Sequence, residues 1–154
     1  MQESFMVPRR RALAMLAAAP LALASMRALP AAPAVSMFKL NECGCCDLWA
    51  EHMRRNGFAV SVLAVPNLTP VRAKHGIPNI FGTCHTALVD GYAIEGHVPA
   101  ADIQRLLRSK LKIAGLAVPG MPAGSPGMEG ARSDPYEVLT FDRSGATQVY
   151  ARYR

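Results

Sequence analysis

Asn41-Glu42-Cys43-Gly44-Cys45-Cys46-Asp47-Leu48-Trp49 is the segment from which the architecture of this chain can be worked out. It holds three of the four cysteines in the 154 residues. An apolar, strand-like run at 35–40 precedes it, and a helix-like run at 46–56 follows it. This order puts the cysteines at a helix N-terminus, where free N–H groups and the helix dipole stabilise anions. Because the thiolate is both a nucleophile and a metal ligand, the segment predicts a disulfide-exchange site or a soft-metal site.

The first part of the chain has the composition of an export signal. Three arginines at 9–11 precede an apolar run at 12–24 that is short for a membrane span. The run ends in Ala22-Leu23-Ala24, and Ala32-Pro33-Ala34 is a second cleavage site of the same kind. The alternatives are an uncleaved anchor and a buried N-terminal helix. We expect export to the periplasm or cell envelope, with no stable membrane span after signal cleavage.

The charge of the remaining chain excludes one class of partner. The full sequence has 17 Lys and Arg and 11 Asp and Glu, but four of these cations and one acid precede Val35. From residue 35 onward 13 cations and 10 acids remain, a net charge of +3. Without a basic run interleaved with aromatic residues, nucleic-acid binding is not expected. We divide the chain into an export signal and short linker at 1–34 and a metal-binding domain at 35–154.

Hydrophobic periodicity and turn residues predict an α/β domain with the order β-α-β-α-β-β-α. The second strand, rich in β-branched residues, is expected to be buried and parallel to the first. Asp90-Gly91 predicts a two-residue hairpin turn between the third and fourth strands. With Cys43 and Cys46 as a CxxC at the start of the first helix, this order is that of the thioredoxin fold. The predicted strands lie at 35–40, 58–65, 84–89 and 92–97, and the predicted helices at 46–56, 68–74 and 99–110.

Two segments follow this thioredoxin-like core. Residues 114–130 are expected to form a long Gly/Pro/Met loop, in which Pro119-Gly120-Met121 and Pro126-Gly127-Met128 repeat one tripeptide. Long loops of this kind are usually functional or disordered. Residues 136–141 and 146–150 are then expected to form a terminal β-hairpin that extends the sheet.

The fold interpretation makes a geometric prediction about the fourth cysteine. Where a thioredoxin keeps its cis-proline, this chain has Thr83, followed by Cys84. That position faces the N-terminus of the CxxC helix, so we expect Cys84 to point its sulfur toward Cys43, Cys45 and Cys46.

Longer motifs surround these cysteines and identify a family. They are Cys43-Gly44-Cys45-Cys46, Trp49-x-x-His52-Met53, Gly57-Phe58, Thr83-Cys84-His85-Thr86-Ala87, Asp90-Gly91-Tyr92, Glu95-Gly96-His97-Val98-Pro99-Ala100, and the runs at 115–122 and 124–129. Over residues 37–151 the chain resembles the CopG-type periplasmic copper-resistance proteins. The resemblance implies a thioredoxin-like domain of the cell envelope that binds copper through the CxCC cysteines and the later cysteine.

The chemistry of the thiols favours the same metal. Thiolates and thioethers select Cu(I), zinc or iron–sulfur clusters. Structural zinc sites usually pair two separate Cys/His motifs, and iron–sulfur clusters need four cysteines at more open spacings. Adjacent cysteines on one loop suit bridging thiolates, so we expect Cu(I), in a multinuclear thiolate-bridged cluster, on Cys43, Cys45, Cys46 and Cys84.

Other residues are candidates for additional ligands or for supporting roles. His85 neighbours Cys84 but is expected on the opposite face of the sheet. His97 is expected next to Glu95, because side chains two residues apart in a strand lie on the same face. Met121 and Met128 are soft ligands or a lid, or apolar residues that pin the loop. The remaining candidates are expected to have structural positions. Met53 is predicted to be a core residue, His52 to lie on the face of the first helix, and His75 to be solvated at the end of a helix.

Two functions of different classes remain open at this point. The favoured one is an envelope copper-binding protein that sequesters, transfers or redox-cycles Cu(I) in copper tolerance, with copper ions and another envelope copper-handling protein as partners. A catalytic copper oxidoreductase is a variant of it. The alternative is a periplasmic thiol–disulfide oxidoreductase that uses Cys43 as nucleophile and Cys46 as resolving thiol.

Overall fold

Seven β-strands and three α-helices make up residues 31–154, the part of the chain that the computed structural model describes. The signal predicted within 1–34 lies almost wholly outside the described residues. The strands are β1 Ala34–Leu40, β2 Ala59–Val65, β3 His85–Val89, β4 Tyr92–Gly96, β5 Gly115–Val118, β6 Tyr136–Phe141 and β7 Thr147–Tyr153, and the helices are α1 Gly44–Arg55, α2 Thr69–His75 and α3 Ala100–Ser109. A short 3₁₀ helix, Asn79–Phe81, lies between α2 and β3.

All seven strands belong to one mixed sheet with the order β2-β1-β3-β4-β5-β6-β7. β1 pairs with β2 in parallel, as predicted, and with β3 in antiparallel orientation. β3 and β4 form the hairpin predicted from Asp90-Gly91, in which both turn residues have positive φ. β6 and β7 form the predicted terminal hairpin and extend the sheet from β5. The chain is therefore a mixed α/β protein with a seven-stranded sheet.

The core lies on both faces of this sheet. On one face, α1 and α3 bury Trp49, Met53, Ile103 and Leu106 against strand residues such as Met37. The other face carries a smaller cluster, to which the chain after α2 contributes two residues. Its members are Ile77, Phe81, Ala93, Ala117 and Phe141. Residues that alternate along one strand divide between the faces, as in Ala93 and Ile94 of β4, because side chains of a strand point alternately to opposite sides.

Strand β2 corrects one prediction. Its apolar sequence suggested a buried strand, but it is an edge strand with five of its seven residues exposed, including Leu63 at 57%. β-branched composition reports a preference for extended backbone and does not distinguish an edge from a centre. Burial of this strand was therefore wrongly predicted, although its position and direction were right.

Strand β5 corrects a second prediction. The segment expected to be loop from residue 114 begins with a fully buried strand, Gly115–Val118, paired in parallel with β4. A side chain at Gly115 would overlap the Ala93 carbonyl, since an added Cβ would lie 1.8 Å from that oxygen. Glycine is needed here for close approach of the backbones, whereas the sequence pattern suggested loop flexibility.

Within residues 31–154, none of the helices has the length and apolar content that a membrane span requires.

Candidate metal centre

The CxCC segment folds at the junction of β1 and α1. β1 ends at Leu40, and the Cys43 N–H donates to the Leu40 carbonyl across a turn (3.3 Å). Cys43 is the N-cap of α1 in extended conformation, and Cys45 and Cys46 lie in the first turn of the helix. The predicted position of these thiols at a helix N-terminus is therefore found, with the helix beginning two residues earlier than expected.

Cys84 joins these three cysteines from the other side of the site. It lies just before β3, and its carbonyl accepts a hydrogen bond from the Leu40 N–H (3.0 Å). Its Sγ is 3.2 Å from the Sγ of Cys46 and 3.9 Å from the Sγ of Cys45. The Sγ atoms of Cys45 and Cys43 are 3.5 Å apart. The four sulfur atoms all lie within 4.8 Å of one another, so they are able to share a metal site.

The four thiols are not equivalent. Cys43 and Cys46 form a disulfide, while Cys45 and Cys84 are free and half-buried. Disulfide sulfurs are not thiolate ligands, so a four-thiolate site requires reduction of this bond. The cluster therefore contains both features that the sequence left open, a CxxC disulfide and a group of convergent sulfur donors.

A nearly buried cation lies beside the CxCC segment, and burial affects the thiol of Cys84. Lys39, a nearly buried cation of β1, donates to the Cys43 carbonyl (3.1 Å) and to Asp47 Oδ2 (2.8 Å) beside the N-terminus of α1. Burial, reinforced by the neighbouring Cys45 thiol, raises the pKa of Cys84 to about 12. Cys84 is therefore protonated at neutral pH, and binding of a metal by its sulfur would require loss of this proton.

His85 and His97 lie beside the cysteines. Both side chains are fully buried, their ring centroids are 5.1 Å apart, and one nitrogen of each lies within 4.8 Å of the other and of the Cys84 sulfur. Burial lowers the pKa of both imidazoles. The pKa of His85 lies well below the usual value for histidine, because the nearby His97 adds to the effect of burial. Both histidines are thus neutral, the form in which imidazole binds metals.

The ring nitrogens of these histidines are largely without partners. His97 Nδ1 pairs with the Pro126 carbonyl (2.7 Å), but His97 Nε2 and both nitrogens of His85 have no hydrogen-bond partner among residues 31–154. The expectation that His85 faces away from Cys84 is wrong. Strand alternation does not apply across this pair, because Cys84 precedes the first residue of β3.

The loop after β5 approaches the cysteines at two points. Met121 Sδ lies 3.2 Å from Cys84 Sγ, which places one predicted thioether at the cluster. Gly127 packs against the first turn of α1, where an added Cβ would lie 2.8 Å from both the Cys45 carbonyl oxygen and the Trp49 nitrogen. Met128 takes part in backbone hydrogen bonds of the loop, with Ser125 and Gly124. The loop therefore covers the site.

The other candidates have structural positions. Met53 is a fully buried core residue of α1, as expected. His52 Nε2 accepts a hydrogen bond from the Ala100 N–H (3.1 Å) and so links α1 to α3. His75 ends α2, half-buried.

Sequence reasoning missed a buried polar network beside Cys84. Glu95 of β4 is fully buried, and its carboxylate accepts hydrogen bonds from Arg72, Thr83 and Thr86. The signal was present in the sequence, since a glutamate inside an apolar strand needs buried partners.

A strand–loop–helix junction with four convergent sulfur donors defines an α/β protein with a thiol-rich site able to bind metal. Two solved structures, both named copper resistance protein CopG, resemble this chain. The one called Form 2 is 45% identical with a TM-score of 0.75, and the alignment covers 79% of this chain and 98% of that chain. Form 1 is 45% identical with a TM-score of 0.74, over 78% of this chain and 96% of that chain. The chain therefore belongs to the CopG family of copper resistance proteins.

Residues 81–128 match the family described as a protein of unknown function, DUF411. No curated protein shows significant similarity to the chain. The family predicted from the sequence motifs is confirmed, and with the cysteine cluster it supports a copper-related role.

Proposed function

We propose that this protein binds Cu(I) in the cell envelope on Cys43, Cys45, Cys46 and Cys84, and that it sequesters, transfers or redox-cycles copper in copper tolerance. The observation that carries the proposal is the convergence of four sulfur atoms within 4.8 Å of one another, with the Met121 thioether at 3.2 Å from Cys84. Soft sulfur donors in this number favour Cu(I) over harder ions. Copper bound there supplies one-electron redox chemistry.

The crowding of the donors supports more than one copper ion. Three of the four cysteines come from one turn, and neighbouring sulfurs are 3.2 to 3.9 Å apart. Thiolates at this spacing are suited to bridging, so we propose a multinuclear, thiolate-bridged cluster. His85, His97 and Met121 are the additional donors nearest to it, and Met128 takes part in the covering loop.

The domain assignment belongs to the same proposal. Residues 35–154 are assigned to a thioredoxin-like metal-binding domain, supported by the β-α-β-α-β-β-α order of β1 to α3 and by a CxxC at the start of α1. Residues 1–34 are assigned to an export signal and linker, and the mature protein to the periplasm. Its partners are copper ions and another envelope copper-handling protein.

A thiol–disulfide oxidoreductase is the second candidate. The Cys43–Cys46 disulfide favours it, because a CxxC disulfide at a helix N-terminus is the reactive group of such enzymes. The free thiol of Cys84 at 3.2 Å from Cys46 counts against simple exchange, since a third thiol so near invites rearrangement to a Cys46–Cys84 disulfide.

Cysteine variants separate the two candidates. Cys45→Ser and Cys84→Ser leave the CxxC pair intact but each removes one sulfur of the cluster. After reduction, anaerobic loading with Cu(I) and desalting, we expect each variant to retain fewer copper ions per chain than the parent, by more than one ion. Thiol–disulfide exchange is measured on the same samples.

The alternative predicts a different pattern. If both variants bind as much copper as the parent, and exchange activity is lost only in Cys43→Ser and Cys46→Ser, the copper-cluster proposal is wrong. The protein would then be an envelope oxidoreductase.

A further inference from the structure

The segment before Cys84 is not held by regular secondary structure. Gly82 and Thr83 follow the 3₁₀ helix Asn79–Phe81, and β3 begins only at His85. The Cys84 carbonyl is fixed by the Leu40 N–H, but no strand pairing holds Thr83 on its other side. On the Thr83 side of Cys84, side-chain hydrogen bonds take the place of strand pairing.

A buried ion pair supplies these hydrogen bonds. Arg72 reaches from α2 to Glu95 of β4, with Nε 3.0 Å and Nη2 2.8 Å from Glu95 Oε1. The arginine side chain is 13% exposed and the glutamate side chain is fully buried. The same Arg72 Nη2 also donates a hydrogen bond to the Thr83 carbonyl.

Glu95 holds the same residue from its other side. Its Oε1 accepts hydrogen bonds from the Thr83 N–H (2.7 Å) and from the Thr83 hydroxyl (3.0 Å), while Oε2 accepts from the Thr86 hydroxyl (2.5 Å). Thr83 therefore has its N–H and its carbonyl bonded to one ion pair, while its hydroxyl lies 3.0 Å from both Glu95 Oε1 and the His85 carbonyl oxygen.

Local packing leaves this arrangement little freedom. Gly96, with φ +73°, allows Thr83 to pack closely, since a Cβ there would lie 2.9 Å from Thr83 Cγ2 and 2.6 Å from the Val118 carbonyl oxygen. At Gly82 a Cβ would lie 3.2 Å from Arg72 Nη1. The guanidinium and Thr83 thus occupy space that two glycines keep open.

We propose that Arg72 and Glu95 are positioning residues for the metal centre, which act through Thr83 to hold the Cys84 sulfur against Cys45 and Cys46. The inference rests on the proposed function for its significance, but its geometry does not depend on copper. A guanidinium is required because it binds the carboxylate and the Thr83 carbonyl at the same time, whereas an ammonium is a point charge on a flexible stem.

Cross-linking measures this positioning without a metal. In a Cys43→Ser and Cys45→Ser background, Cys46 and Cys84 remain, with their sulfurs 3.2 Å apart in the parent. Diamide takes two electrons and two protons from this pair as the Cys46–Cys84 disulfide forms. In this background we expect Arg72→Lys to slow cross-linking by about tenfold or more, because the charge remains but the Thr83 carbonyl is released.

A matched control tests for general destabilisation. Asp102→Asn disrupts another buried carboxylate, which accepts hydrogen bonds from Arg105 (2.9 Å) and Tyr153 (2.6 Å) but has no contact with the cysteines. We expect this variant to cross-link at the background rate even if its thermal unfolding shifts as much as that of Arg72→Lys. If Arg72→Lys does not fold, Thr86→Val is used in its place, because it removes one hydrogen-bond donor to Glu95 and keeps the ion pair. We expect Thr86→Val to slow cross-linking about threefold, which is a smaller effect than that of Arg72→Lys.

Copper binding completes the test. In the chain with all four cysteines, we expect Arg72→Lys to bind Cu(I) roughly tenfold more weakly in competition with a chelator, whereas Asp102→Asn matches the parent. The inference is overturned if the Arg72→Lys variant folds and cross-links at the background rate. If Arg72→Lys does not fold, cross-linking of folded Thr86→Val at the background rate overturns it. If the parent binds no copper while cross-linking is slowed as expected, the proposed function fails and the positioning role stands.

Discussion

The sulfur of Cys84 lies 3.2 Å from the sulfur of Cys46, although 38 residues separate them in the chain. The contact forms because β3 pairs with β1, which brings the residue before β3 next to the residues that follow β1. Cys46 is fully buried, and Cys84 and Cys45 are partly exposed. The cluster therefore has an inner sulfur held by the helix and outer sulfurs that a metal ion or a partner protein can reach.

Met121 should contribute to copper affinity. Its Sδ is 3.2 Å from Cys84 Sγ, so Met121→Leu removes a soft donor while it keeps an apolar side chain of similar size. We expect Cu(I) affinity, measured by chelator competition, to fall roughly tenfold. Met128→Leu is the control, because Met128 contributes backbone hydrogen bonds that this change leaves in place. Equal affinity in Met121→Leu and the parent would make Met121 a packing residue.

Gly127 should be required for the loop to cover the cysteines. Gly127→Ala introduces a Cβ 2.8 Å from the Cys45 carbonyl oxygen and the Trp49 nitrogen, at a residue with φ +86°. Gly145→Ala is a matched control, since Gly145 has the same φ but no atom within 4 Å of an added Cβ. We expect limited proteolysis at 119–130 to be several-fold faster in Gly127→Ala than in Gly145→Ala. Equal rates would show that the loop is held without this contact.

The order of the elements was predictable because the local signals agree with one another. Asp90-Gly91 fixes the β3–β4 hairpin, and apolar spacing fixes α1 and α3. β5 was missed because its pattern of four residues is too short to show a period, and its place depends on contact with Ala93. Burial of β2 was mispredicted because the position of a strand within a sheet is a property of the whole fold.

The site was predictable to the extent that the topology determines it. A residue at the start of β3 must face the end of β1, so Cys84 could be expected near the CxCC thiols. The Arg72–Glu95 pair was not predictable, because it joins α2 to β4 through side chains 23 residues apart. The sheet face of His85 was wrongly predicted because His85 is the first residue of β3. Side-chain alternation holds within a strand and does not relate His85 to Cys84, which precedes the strand.

Acidification should destabilise the metal-free protein through its histidines. His52 accepts a hydrogen bond from the Ala100 N–H, and burial lowers its pKa despite the opposing charge of Glu129. The unfolded chain therefore binds a proton more readily, and stability present above about pH 6.5 is lost as the pH falls toward the lowered pKa of the folded state. We expect His52→Gln to show a smaller loss of unfolding free energy than the parent between pH 7.5 and 5.5.

His75 provides the comparison for this pH effect. Its pKa is also lowered, by burial and by the charge of Lys74, but it is less deeply buried than His52. His75→Gln should therefore flatten the pH dependence less than His52→Gln. Denaturant unfolding of both variants across the same pH range measures this, and the reverse order would contradict the assignment.

Lys39 should make the Cys43–Cys46 disulfide easier to reduce. Its ammonium donates to the Cys43 carbonyl (3.1 Å) and to Asp47 (2.8 Å), next to the helix N-terminus where the thiolates form. A cation there stabilises thiolates over the disulfide, and its removal also leaves the Asp47 carboxylate unpaired beside them. In Lys39→Met we expect the reduction potential to become more negative by on the order of 30 mV, equivalent to about tenfold in the exchange equilibrium. Arg54→Met removes an exposed cation at the other end of α1 and should leave the potential unchanged. Glutathione redox titration of the metal-free protein measures both, and equal shifts in the two variants would mean that net charge, rather than the contact of Lys39 with Cys43, sets the potential.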